Sequence, residues 1–145
     1  MSQTAKIGPS EWPLHIVVPL YEGLTLLDVA GPTEAFNYAG VHASAHAGGG
    51  KGLSVERSAY QLHYVTFGEQ DWVTSSTGLP IKGVSPETLP ASFHTLLIPG
   101  APEADLLAAV GNRAHMAGLA ELAAKAERLA SVCTGAFFLG ELGEL

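Results

Sequence analysis

Apolar positions along the chain fall into short bursts separated by stretches of helical spacing. Leu14 to Leu20 (Leu-His-Ile-Val-Val-Pro-Leu) is a brief apolar run rich in β-branched residues, the pattern of a buried strand. Asp28 to about Val41 reads as a helix. Gly31-Pro32 falls near its first turn, where the missing proline N–H costs nothing, and Phe36 and Tyr38 add apolar bulk. Tyr60 to Phe67 is a second, partly alternating strand. Trp72-Val73 and Leu79 to Ile81 flank Ser75-Ser76-Thr77-Gly78, which predicts a small hairpin with a polar tip. Thr95 to Ile98 is a third buried strand, closed by Pro99-Gly100. Pro102 to Arg128 reads as helix with a break at Gly111-Asn112, and Leu119, Leu122, Ala123 and Ala126 share one face. Leu129 to Val132 is a fourth strand, and Gly135 to Leu145 begins another helix.

The order β-α-β-hairpin-β-α-β-α predicts a parallel sheet with helices on both faces, a flavodoxin-like doubly wound α/β fold. Residues 1–12 read as a flexible lead-in, 13–145 as the α/β domain, and 42–58 as a loop centred on Gly48 to Gly52. The fourth strand has the composition of a central strand yet falls near a sheet edge, and the chain stops inside the helix that follows. The reading is therefore of a domain truncated at its C-terminal end, lacking its last strands, or of one that a partner segment completes.

Composition narrows the classes. At 145 residues there is room for one domain with a real core but not for two. With 47% apolar and 14% charged residues the chain is globular. A net charge of −7, with 7 scattered Lys and Arg, argues against nucleic-acid contact from this chain. No run approaches the ~20 apolar residues of a membrane helix, and Met1 to Trp12 lacks the apolar core of a signal peptide. The single cysteine excludes an internal disulfide and a cysteine-based zinc site. A cytoplasmic protein without metal or cofactor is the simplest reading.

In open parallel sheets, ligands sit beyond the carboxyl ends of the strands. Three such ends carry informative residues: Asp28, then Gly100-Ala101, then Cys133-Thr134-Gly135. Cys133 falls at a strand-to-helix turn, which exposes a nucleophile, and the positive end of a following helix favours a thiolate. The alternative is a buried, inert cysteine. Asp28 is either a carboxyl facing the thiol, serving as acid/base with a raised pKa, or an ordinary first-turn charge. The N–H groups of Gly100 and Ala101, with that of Thr134, form either an oxyanion hole or an ordinary turn. His42 and His46 are four apart, but their surroundings read as loop and no third ligand is near. His15 and His63 fall in strands as core or edge positions, and His94 and His115 are candidates for a pocket rim or the surface. No histidine follows Cys133, so a Cys–His pair with a downstream histidine cannot be built from this chain.

Leu26-Leu27-Asp28-Val29-Ala30-Gly31-Pro32, Leu96-Leu97-Ile98-Pro99-Gly100 and Ala130-Ser131-Val132-Cys133-Thr134-Gly135-Ala136-Phe137 together resemble the PfpI/ThiJ-like domain of the class I glutamine amidotransferase-like superfamily. The resemblance runs from about Leu14 to Leu145 and covers roughly the first two-thirds of that domain. It implies one of two functions. One is the N-terminal ligand-sensing domain of an AraC-type transcriptional regulator, whose DNA-binding helix-turn-helix lies in a separate module. The other is an isonitrile hydratase-like lyase, in which Cys133 attacks the terminal isonitrile carbon and Asp28 handles protons; an amidotransferase-like hydrolase is a further form of cysteine chemistry. The resemblance also implies a homodimer, in keeping with a sheet edge that needs cover. One departure concerns the oxyanion geometry: the family's Pro-Gly-Gly is here Pro99-Gly100-Ala101, which is tolerated only if φ at Ala101 stays negative.

Overall fold

A computed structural model describes residues 11–47 and 58–145, and the lead-in before residue 11 and the glycine run at 48–52 lie outside the described residues. Strands β1 (Leu14–Pro19), β2 (Tyr60–Val65), β5 (Phe93–Ile98) and β6 (Ala126–Ser131) form one parallel sheet in the order β2-β1-β5-β6. A two-stranded antiparallel hairpin, β3 (Trp72–Thr74) and β4 (Pro80–Lys82), stands beside it, with Val73 opposite Ile81. The continuous apolar runs explain the order. Ile16, Val17 and Val18 in β1 and Leu96, Leu97 and Ile98 in β5 are buried, as strands covered on both faces must be.

The strand order changes sense across this parallel sheet. The connection from β1 to β2 runs one way through helix α1 (Leu26–Ala47), and that from β5 to β6 runs the other way through α2 (Glu103–Gly111) and α3 (Arg113–Lys125). Right-handed crossovers then put α1 on one face and α2–α3 on the other. This is the flavodoxin-like fold that the alternation of elements predicted, with its switch point between β1 and β5.

Helix α1 departs from the sequence reading at both ends. It starts at Leu26, so Pro32 lies inside it and not in its first turn. It also continues through His42 and His46 to Ala47, where a loop was expected; the alanines at 43, 45 and 47 favour helix despite the glycines that follow. Gly40 marks a close approach of helix and sheet: a Cβ there would press on Ser58 and on the Ala59 and Tyr60 backbone.

The long predicted helix is two helices joined at Asn112. The Asn112 Oδ1 accepts the N–H groups of Ala114 and His115, both at 3.1 Å, and so caps α3. Helix α3 ends at Lys125, three residues earlier than its composition suggests. Ala126 to Ser131 instead pair in register with Phe93 to Ile98, so the strand begins at Ala126 and not at Leu129. Among the described residues β6 pairs on one side only, with Glu127 and Arg128 exposed. The last helix, α4 (Ala136–Glu141), is a short one entered through a 3₁₀ turn, Cys133–Gly135. A second 3₁₀ turn, Pro86–Thr88, was not foreseen; Ser85 caps it.

Candidate functional site

The ends of β1, β5 and β6 meet at the switch point, and Gly100 is where they touch. A Cβ at Gly100 would lie 2.6 Å from Thr134 Oγ1 and 2.9 Å from Asp28 Oδ2, so no side chain fits between them. Gly135 is equally constrained, because a Cβ there would collide with the Ile98 carbonyl. Small residues on β5 and in the turn thus let the cysteine segment close over the sheet.

Cys133 has φ 53°, the only left-handed non-glycine among the described residues. An L-residue there costs roughly 1–2 kcal/mol, and the surrounding turn holds it: the Val132 N–H donates to Ile98 O and the Gly135 N–H to Val132 O, both at 2.9 Å. The thiol is exposed. The alternative of a buried, inert cysteine therefore does not describe this residue.

Asp28 lies in the first turn of α1 and is 8% exposed. Its Oδ2 accepts the Gly100 N–H at 3.1 Å, while the Gly100 carbonyl accepts the Thr25 N–H at 2.8 Å. Ala101 and Thr134 form a reciprocal pair. The Ala101 N–H donates to Thr134 Oγ1 at 3.0 Å, and that hydroxyl donates back to the Ala101 carbonyl at 2.9 Å. Ala101 is buried and its φ is not positive, so alanine fits the place of a family glycine without backbone strain. The consequence for chemistry is direct: the N–H groups of Gly100 and Ala101 are bound to Asp28 and Thr134, and an oxyanion at Cys133 would have to displace those partners.

Two residues of this region were not singled out from the sequence as a pair. Tyr21, just past β1, is 5% exposed and donates its hydroxyl to the Pro99 carbonyl at 2.8 Å. Burial first, then the negative charges at Asp28, Cys133 and Asp105, push its phenol far above its usual range, so it remains a donor. Its ring stands edge-on to Phe138 and His115, with centroids 5.1 and 5.4 Å away. His115, read as a pocket-rim or surface residue, is not on the surface. It is 7% exposed, packs against Phe67 as well, and burial lowers its pKa to about 4. The spacing 115, 119, 122 was the available signal, since His115 shares the helical face of the buried Leu119 and Leu122.

The remaining histidines take structural places. His15 and His63 are neighbours on β1 and β2, partly buried, with Nδ1 and Nε2 2.9 Å apart; burial, then His15, lowers the pKa of His63. His94 bonds to Thr95 Oγ1 at 2.8 Å. The ring of His42 stacks on Tyr38. Among the described residues, no group of three His, Cys, Asp or Glu is placed to hold a metal ion, and no helix is long and apolar enough to cross a membrane.

No family model matches the chain. An uncharacterized protein encoded in the cpoL 5' region of Streptomyces lividans is 32% identical over 139 residues, spanning 92% of this chain and 82% of that protein. Among solved structures, a ThiJ/PfpI family protein from Pseudomonas syringae is 25% identical with a TM-score of 0.66; the match covers 99% of this chain and 54% of that one. The chain thus spans about half the length of that protein. An AraC family transcriptional regulator from Pseudomonas putida aligns with 90% of this chain and 71% of its own, at 20% identity and TM-score 0.59. A DJ-1 superfamily protein from Salmonella typhimurium aligns with 91% of this chain and 62% of its own, at 19% identity and TM-score 0.63. Taken with the strand-end motifs around Asp28, Gly100 and Cys133 and the sheet that brings them together, these likenesses show that the chain has the fold of the ThiJ/PfpI and DJ-1 superfamily proteins.

Proposed function

We propose that this chain is the PfpI-like ligand-sensing domain of an AraC-type transcriptional regulator, with the crevice between Asp28 and Cys133 as its small-molecule pocket. The observation that carries this reading is the engagement of both strand-end amides. Gly100 N–H is held by Asp28 and Ala101 N–H by Thr134, so two of the three strand-end amides that could meet a developing oxyanion are already engaged. DNA contact is assigned to a separate module, in keeping with 7 scattered basic residues. A thermal-shift screen of small amines, amides and acids tests the reading. Hits should stabilise the wild type and Cys133→Ala alike, and Asp28→Asn much less; hits that depend on the sulfur and not on Asp28 would refute it.

A second reading, an isonitrile hydratase-like lyase, is favoured by the exposed thiol in its left-handed turn. The Cys133 thiolate would add to the terminal isonitrile carbon, and that carbon would take a proton by way of Asp28 to give a thioimidate. Water then replaces sulfur at that carbon, releasing the formamide and regenerating the thiol. Formamide production from cyclohexyl isonitrile by wild type, abolished in Cys133→Ala, would establish it; equal background in both proteins would exclude it.

A further inference from the structure

A cavity of about 520 Å³ opens on the other side of Tyr21, between the ends of β1 and β2, the start of β3 and the α2–α3 junction. Its volume falls in the range of small-ligand sites. None of Asp28, Gly100, Ala101, Cys133 and Thr134 lines it, so it is separate from the crevice described above.

Its lining has a consistent chemistry. Phe67 and Trp72 supply aromatic faces, and Trp72 is 45% exposed, as a residue that meets a ligand but not the core would be. Glu22, Glu69 and Asp105 bring three carboxylates, and no Lys or Arg lines the cavity. Glu22 Oε2 accepts the Thr74 N–H at 3.1 Å, which fixes one carboxylate at the rim.

His115 is the independent sign of a ligand. It is more than nine-tenths buried and belongs to the lining. Its backbone N–H caps onto Asn112, but neither ring nitrogen has a hydrogen-bond partner. No buried side-chain nitrogen or oxygen among the described residues lacks a partner, so the ring nitrogens are not sealed off, and His115 belongs to the cavity lining. A neutral imidazole offers one donor and one acceptor. An unpartnered pair of this kind on a largely buried side chain is costly unless something polar meets it.

We infer that this cavity binds a small flat cation, an ammonium or amidinium carried on an aromatic body, whose N–H groups meet the His115 imidazole and the carboxylates while its ring lies against Trp72 and Phe67. Negative lining without a basic residue selects positive charge. The aromatic faces add stacking and cation–π attraction.

Benzamidine and its uncharged counterpart benzamide are the probes, titrated at neutral pH into the full 145-residue chain and followed by two-dimensional NMR. Benzamidine should bind about tenfold more tightly than benzamide, with the largest shifts at the Trp72 indole and His115. Glu69→Gln, at an exposed position that leaves the fold intact, should narrow that preference, and Trp72→Ala should weaken both probes. Equal binding of the two probes overturns the inference. So does the absence of binding, or shifts centred on Cys133 and Thr134 in place of Trp72 and His115.

Discussion

The strand-end turn at Cys133 and the cavity at His115 both adjoin Tyr21, and they are opposites in hydrogen bonding. At the strand ends the Asp28 carboxylate and the Thr134 hydroxyl both have partners: Asp28 with Gly100, Thr134 with Ala101 twice over. In the cavity a buried imidazole has none. The first region carries the sequence motifs, and the second carries no motif. Motifs here mark the parts that build the frame, whereas the unmet hydrogen-bonding capacity lies among residues drawn from five separate segments.

Acid should separate the two regions most strongly. The unfolded chain protonates His115 near pH 6.5, whereas the folded chain resists until about pH 4. Its contribution is therefore intact above pH 6.5 and is lost as pH falls towards 4, a decline on the order of 3 kcal/mol. Urea titrations across that window should show the decline, flattened in His115→Phe; an equal slope in the variant would remove His115 as its source. His63, shifted the same way by burial and by His15, adds a smaller decline of the same sign.

The crevice should respond next. Thr134→Val keeps the shape but leaves the buried Ala101 N–H and carbonyl without partners, at about 2 kcal/mol. Thr134→Ser should retain most of the stability. Equal losses in the two variants would mean that packing, not the hydroxyl, holds the turn.

The smallest effect should be a gain. Cys133→Gly relieves the left-handed φ and should raise stability by roughly 0.5–1 kcal/mol, after the entropy cost of glycine. A loss of stability would show that the thiol makes contacts worth more than the strain.

Much of the fold was legible in the chain because local pattern and tertiary demand agree. The apolar runs at β1 and β5 are buried, and the hairpin turn falls where Ser75 to Gly78 placed it. Disagreement appears where they compete. Ala126 to Arg128 have helical composition, but pairing with Phe93 to Thr95 takes them into β6. The strand-end residues were readable because each follows a strand. That their amides are engaged was not, because Gly100 and Asp28 are 72 positions apart and only the folded sheet shows the bond. His115 was ambiguous for a similar reason: one histidine on an apolar helical face says nothing about what lies opposite.

The reciprocal bonds between Thr134 and Ala101 have a consequence for descent. They fasten the turn to β5 through the residue after the cysteine and without the sulfur. Mutation at position 133 can therefore silence or change the thiol while the crevice keeps its form, whereas changes at 28, 100 or 134 disturb the form itself. In a lineage built on this arrangement, a thiol can be lost or regained at one codon while the form of the strand-end turn passes on unaltered.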